Sequence, residues 1–360
     1  MDVMPPPANA PAPVYGKERA RKKRTNHIGA WVEPRREGLY LPAADAWIDP
    51  AIPVPRALVT HGHADHARGG HGAVWATPET LAIMAARYGE THTPDPRAAP
   101  YGERIEIGGG ISASFHPAGH VLGSAQIRLE RDGEVVVVSG DYKRRPDPTC
   151  ARFELVPCDI FITEATFGLP VFRHPPTGEE VAKLLAARSA NPDRCILVGV
   201  YALGKAQRLM GEIRAAGYDR PLYIHGALAR LTELYRDHGV DFGEILPVAD
   251  VDKAALAGEI ILAPPSALAD RWSRRLPDPV TAMASGWMRV RQRARQRLVE
   301  LPLVISDHAD WDELTDTIRE LAPKEVWITH GRDDALAHWC GLHQINARAL
   351  HLAHYEDEDD

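Results

Sequence analysis

The sequence predicts an α/β fold in which a β-rich unit is interrupted by a second, α/β unit and then resumed. Two patterns carry this expectation. From Leu39 to about Phe167 short apolar runs recur at Ala57–Thr60, Val74–Thr77, Ile111–Phe115, Ala125–Glu130 and Val135–Ser139. They are separated by GG at 69–70, GGG at 108–110 and DG at 132–133, which are turn signals between strands. After Gly168 the apolar strands Cys195–Tyr201, Pro221–His225 and Glu259–Ala263 alternate with the amphipathic stretches Glu179–Arg188, Lys205–Ala215 and Leu228–His238. Such alternation marks βαβ units and a parallel sheet.

Taken in order, residues 1–27 read as a flexible leader, Pro/Ala-rich and then basic. Residues 28–170 form the β-rich unit, with one helix beginning near Pro78. Residues 171–302 are the α/β insertion. Residues 303–352 return to the first unit as strand, helix, strand and helix, and 353–360 are an acidic tail. The chain has 360 residues, 44% hydrophobic and 25% charged, the balance of an ordinary globular protein. No apolar run approaches the ~18 residues of a membrane span, and the N-terminus lacks the apolar core of a secretory signal. Four cysteines without a CxxC pair fit a reducing, cytoplasmic setting.

Net charge is −7, and the last five residues, Glu356–Asp360, are all acidic. KERARKKR at 17–24 and RVRQRARQR at 289–297 are basic, so local patches remain open to a polyanion. Each reads alternatively as a solvated face.

The strongest chemical signal is THGHADHARGG at 60–70. His61 and His63 leave a strand end two residues apart and point the same way, so they can grip one cation. Asp65 and His66, past the turn, can face a second. Imidazole suits Zn²⁺, and a carboxylate completes a charged site. His120, between two predicted strands, and Asp141, at the end of VVVVSGDY, offer further ligands; a carboxylate placed like Asp141 can bridge two cations ~3.5–4 Å apart. Asp49, in AWIDP, fits a supporting or turn-capping role better than ligation.

Asp49, the His61–His66 motif, His120 and Asp141, in that order, resemble the pattern of the metallo-β-lactamase superfamily. TEATFG at 163–168, ISDHAD at 305–310 and WITHGR at 327–332 look like motifs A, B and C of its β-CASP nucleases, with Glu164, His308 and His330 at the key positions. The resemblance runs from about Gly38 to Leu352. It implies a metallo-β-lactamase αββα sandwich, with two metals at one edge, and an inserted β-CASP α/β domain. It further implies His61, His63 and His120 on one zinc, Asp65, His66 and His330 on the other, and Asp141 bridging. A hydroxide held between the two metals would be the nucleophile, because such binding lowers the pKa of water from ~15.7 toward ~7. His308 would protonate the leaving sugar oxygen and Glu164 would orient it. Asp65, Asp141, His308 and Glu164 are thus the expected catalytic set. Manganese fits the same carboxylate bridge.

The insertion would cover the metals and restrict access to a strand end or an extended single strand. Arg271, Arg274, Arg275, Arg289, Arg291, Arg293, Arg295 and Arg297 are candidates for phosphate contacts. Trp287 reads either as a stacking surface for a base or as packing between domains. GVYALGKA at 199–206 imitates a P-loop but has Ala206 where Ser or Thr is needed. Lys205, at a helix N-terminus, is instead a candidate for one phosphate of a polynucleotide.

His330 leans toward RNA, since histidine at motif C is typical of RNA-processing β-CASP members. GLYLPAADAWIDP, LVTHGHADHARGG, TEATFGLPVF, YALGKAQRL and ASGWMRVR resemble the bacterial ligase-associated DNA exonucleases, whose members also carry that histidine and are often labelled mRNA 3′-end processing factors. The expectation is a two-metal DNA exonuclease acting in repair, with an ATP-dependent DNA ligase and a helicase as functional partners and no membrane. The alternatives are an RNA 3′-end processing nuclease, a small-ester hydrolase of the same superfamily, and a non-catalytic nucleic-acid-binding scaffold.

Overall fold

The computed structural model describes residues 28–296, 299–331, 333–350 and 352, the side chain of His330 excepted. The basic leader, the acidic tail and Arg297 therefore lie outside the described residues.

The chain opens with a six-stranded sheet in sequential order: β1 (Glu33–Arg35), β2 (Gly38–Leu41), β3 (Ala46–Ile48), β4 (Arg56–Leu58), β5 (Ala73–Ala76) and β6 (Asp95–Ala98). Helix α1 (Pro78–Tyr88) starts where the sequence expects, because Thr77 caps it by accepting from the Thr80 N–H and Pro78 occupies its first turn, where a missing N–H costs nothing. Next come β7 (Ile105–Gly108), β8 (Ile111–Pro117), β9 (Ala125–Arg131), β10 (Glu134–Val138) and β11 (Ile160–Ala165). Asp132 and Gly133, both at positive φ, close the β9–β10 hairpin with Arg131 opposite Glu134, as a two-residue Asp-Gly turn demands.

The insertion runs α2 (Thr177–Ala190), β12 (Ile196–Gly199), α3 (Lys205–Ala215), β13 (Leu222–Ile224), α4 (Gly226–Asp237), β14 (Ile245–Pro247), β15 (Ile260–Ala263), β16 (Val280–Ala284), α5 (Arg291–Gln296) and β17 (Leu301–Leu303). Its six strands pair in the order β14-β13-β15-β12-β16-β17, all parallel. Then α6 (Trp311–Leu321), β18 (Glu325–Gly331), α7 (Asp333–Leu342) and β19 (Asn346–Ala349) rejoin the second sheet, whose order is β19-β18-β11-β10-β9-β8-β7. The strand expected to begin the return, at Leu303, belongs instead to the inserted sheet, where Leu303 lies opposite Ala284. The return starts at α6.

Four layers follow from the burial pattern. Leu39, Ile48, Leu58 and Trp75 of the first sheet pack against Phe115, Ile127, Val136 and Ile160 of the second. Val59, Val74 and Met84 bind α1 to the outer face of the first sheet. Phe161, Ile328, Leu314, Ile318 and Leu336 bind α6 and α7 to the outer face of the second. The molecule is thus an αββα sandwich carrying an inserted α/β domain. Ile83 of α1 and Leu122 of the β8–β9 loop join the core of the inserted sheet, so the insertion packs directly on the edge where the candidate ligands emerge. Among the described residues no helix is long and apolar enough to cross a membrane.

Candidate metal centre

Strands ending at one edge of the sandwich deliver the site. β4 leads into His61, His63, Asp65 and His66. β10 leads into Asp141, the β8–β9 loop carries His120, β11 carries Glu164, and the segment before α6 carries His308. All are buried except Asp65 and His308, which are partly exposed.

Asp141 Oδ2 is the hub. It lies 3.4 Å from His61 Nε2, 3.5 Å from His66 Nε2, 3.8 Å from His120 Nε2 and 3.9 Å from His308 Nδ1. His61, His63, His120 and Asp141 offer four ligand atoms within 4.8 Å of one another. His66 Nε2 is also 3.4 Å from Asp65 Oδ2. Asp49 stands behind this group, at φ 44°. It accepts from the Thr60 N–H at 2.8 Å, the Thr60 hydroxyl at 2.6 Å and His66 Nδ1 at 2.8 Å, which turns Nε2 of His66 toward Asp141 and Asp65.

Burial holds the His61 imidazole well below its usual range and His120 at about 3, so both are neutral at pH 7, the form that ligates a metal. Burial also works against a charge on His66, but the Asp65 and Asp141 carboxylates overcome it and raise its pKa well above the usual value. Asp65 resists its own burial through His66 and is held at about 2. Carboxylates that retain a proton on a buried imidazole attract a cation at the same place. His61 Nε2 and Asp65 Oδ1 are buried without a hydrogen-bond partner, an expensive arrangement unless something else binds there. Three imidazoles and a carboxylate, with orphaned donor atoms, fit a divalent metal ion.

His308 faces Glu164, with Nδ1 3.0 Å from Oε2. Burial opposes a charge on His308, yet Glu164 and Asp141 outweigh it and hold its pKa at about 10. Of the expected ligands, His330 lies in β18 and its side chain is outside the described residues.

The expected nucleic-acid contacts are placed less evenly. Arg271, Arg274, Arg275, Arg289, Arg291, Arg293 and Arg295 are exposed. Trp287 is buried at 7% exposure, packed on Phe167 and Phe172 at ring distances of 4.9 and 5.1 Å. The Arg293 guanidinium lies 3.9 Å from its ring centroid. That corrects the stacking-surface expectation: Trp287 is packing between the insertion and the loop after β11. Lys205 is corrected too. It is buried, and its Nζ lies 3.4 Å from Asp307 Oδ1 rather than open to a phosphate. The Gly204 N–H donates to Gln207 Oε1, so this end of α3 is already capped.

Asp307 escapes a reading of the sequence although it stands beside His308 in ISDHAD. Its backbone carbonyl lies 2.8 Å from His120 Nδ1, and its carboxylate groups with His120 and His308. Only a contact spanning 187 residues reveals it.

The model of the metallo-β-lactamase superfamily matches residues 32–200. A protein named probable DNA ligase from Opitutus terrae is 29% identical over 306 residues, covering 84% of this chain and 29% of that protein. The RNase J-like protein of Methanocaldococcus jannaschii is 29% identical over 151 residues, 38% of this chain and 35% of that protein. Endoribonuclease YSH1 of Candida glabrata is 39% identical over 114 residues, 31% of this chain and 14% of that protein. The chain thus spans about a third or less of the length of these curated relatives. A crystal structure of a protein of unknown function from Enterococcus faecalis shares the fold, with a TM-score of 0.50 at 13% identity over 76% of this chain and 74% of that one. Sheet order, the His/Asp cluster and the matched segment agree: residues 32–200 carry a metallo-β-lactamase domain.

Proposed function

We propose that the protein is a β-CASP phosphodiesterase, a metal-dependent DNA exonuclease acting in repair. The observation that carries this reading is the His308–Glu164 pair beside Asp141. A phosphodiester expels a sugar oxygen that needs a proton, whereas a thioester expels a thiolate that does not. A charged imidazole, held by a buried carboxylate 3.0 Å away, is the group that supplies the proton.

His61, His63, His120 and Asp141 would hold one divalent ion, and Asp65, His66 and Asp141, with His330, a second; zinc suits this imidazole-rich set, and manganese is the alternative. When bound, such ions activate water and neutralise charge on phosphate oxygens. Asp49 orients His66, Glu164 orients His308, and the inserted domain covers the edge. Arg293 connects to the site through Trp287 and Phe167, whose ring lies 6.2 Å from that of His308, and the exposed Arg289, Arg291 and Arg295 are its neighbours in sequence. They suit a polyanion approaching His308.

The extent of likeness to the Opitutus protein, which runs through the insertion, supports DNA. An ATP-dependent ligase and a helicase are the functional partners we propose, in a reducing cytoplasm that leaves all four cysteines free. RNA processing is the second reading, favoured by His330 in the motif-C strand and by the names RNase J-like and endoribonuclease among the relatives. End-labelled single-stranded DNA and RNA of matched sequence, given to metal-loaded protein, test the two. A ladder from DNA alone, lost in Asp65→Ala/His66→Ala, is expected. RNA cut as fast or faster moves the protein to RNA processing, and no cleavage of either by metal-loaded protein removes the nuclease reading.

A further inference from the structure

Residues 200–204 connect β12 to α3 inside the insertion, yet this loop ends against the metal centre of the other unit. The Leu203 carbonyl lies 3.3 Å from His63 Nε2. Gly204 is at φ +81°, and a Cβ there would stand 2.2 Å from Val121 Cγ1 and 3.3 Å from Asp307 Oδ2. Only glycine lets the backbone pass this close to the residue after His120. Lys205 follows, with Nζ 3.4 Å from Asp307 Oδ1 and both side chains buried. The Leu122 N–H donates to the Tyr235 hydroxyl of α4 at 3.1 Å, clamping the same turn from a second side.

These contacts act on imidazoles. A ring that donates one N–H to a carbonyl presents the lone pair of its other nitrogen, and the partner fixes which nitrogen that is. The Leu203 carbonyl selects Nδ1 as the ligand atom of His63, and the Asp307 carbonyl selects Nε2 of His120. Those two atoms are 3.0 Å apart. The Asp307 carbonyl stays in place only while its own buried carboxylate is balanced, because an uncompensated buried charge drives local rearrangement. Lys205 is the cation that the insertion supplies to that carboxylate, which also groups with His308.

We propose that Lys205 is a positioning residue for the metal centre: by pairing with Asp307 it holds the carbonyl that orients His120, so the inserted domain sets metal affinity. This rests on the metal-dependent reading of the site. It makes the insertion part of the centre as well as a cover over it.

The test uses the full chain, stripped and reloaded, with Zn²⁺ affinity read by competition against a chromophoric chelator. Wild type, Lys205→Met, Lys205→Arg and Lys205→Met/Asp307→Asn are compared, with circular dichroism on the stripped proteins. Lys205→Met is expected to weaken binding by about 10–100-fold, the usual effect of losing a ligand's supporting partner, with its secondary structure kept. The double variant recovers most of the affinity, since a neutral amide in place of the Asp307 carboxylate needs no counter-charge and the backbone carbonyl remains. Lys205→Arg stays nearer wild type than Lys205→Met does. Should Lys205→Met fail to fold, the double variant alone decides, wild-type-like affinity being the expected result. Unchanged affinity in Lys205→Met, or no recovery in the double variant, overturns the proposal. Failure of the wild type itself to bind Zn²⁺ or Mn²⁺ overturns the metal-dependent reading instead, and the two failures are distinct.

Discussion

Glu164 is fully buried and uses both carboxylate oxygens, Oε2 on His308 Nδ1 at 3.0 Å and Oε1 on the Tyr142 N–H at 2.8 Å. The second bond fixes the carboxylate to the backbone beside Asp141, so Glu164 ties His308 to the residue next to that hub. Removing the imidazole should lower kcat by about 10²–10⁴-fold, the range for losing a general acid. His308→Ala should keep its metal content, because the four-atom cluster does not include it. Loss of metal together with activity would make His308 a ligand and not an acid. Glu164→Gln tests the orientation separately. Glu164 is the largest influence raising His308 toward about 10 against its burial. Without that charge the imidazolium deprotonates at lower pH, so the alkaline limb of the kcat profile should move to lower pH. An unmoved limb would show that His308 is not the titrating acid.

At the scale of single elements, α6 carries more charge than a surface helix should bury. Asp310 caps it in a reciprocal box with Glu313. Glu313 Oε2 lies 2.6 Å from Lys143 Nζ, and Oε1 accepts from the Arg144 and Arg145 N–H groups. Burial would raise the Glu313 pKa, but Lys143 and these bonds hold it at about 2, down from 4.5. A folded-state value below the unfolded one contributes stability that is complete above about pH 4.5 and is lost as pH falls toward 2. The size of this displacement corresponds to about 3 kcal/mol. Denaturant melts of stripped wild type and Glu313→Gln should differ by about that much at pH 6 and draw together as pH falls to 2 and below; a gap independent of pH would point to packing instead. The arginines of α5 and the turn before it answer a different measurement. If Arg289, Arg291 and Arg295 meet phosphates, each Ala replacement should flatten the log–log salt dependence of single-strand binding by ~0.7, while kcat at saturating substrate holds. A slope unaltered by all three would leave them a solvated surface.

For the molecule as a whole, legibility follows the length of the signal. α1, α3 and α4 are readable because a cap or an apolar stripe repeats over several turns, and β10 because four successive valines have few other uses. β14, β16 and β17 are not, since three to five residues carry no period, and Leu303 reads as part of the wrong sheet for that reason. The ligand constellation can be read in chain order because its chemistry is concentrated in a few residues near strand ends. The partners of Lys205 and Trp287 cannot, because neither burial nor the opposite wall of a cleft is written locally. Those walls explain why metal removal should be felt beyond the site. The edge gathers buried imidazoles and carboxylates from several separate segments and packs them beneath the insertion, so an ion that binds only this arrangement adds RT ln(1 + [L]/Kd) to folding, about 2.7 kcal/mol at a hundredfold excess over Kd. Chelated protein should therefore melt several degrees lower than protein with added Zn²⁺ or Mn²⁺, with Tm rising as the logarithm of metal concentration. Asp141→Asn, which takes the charge from the hub and leaves its volume, should lose most of that rise. A melting curve indifferent to chelation in the wild type would mean that the buried histidines and carboxylates are satisfied without an ion.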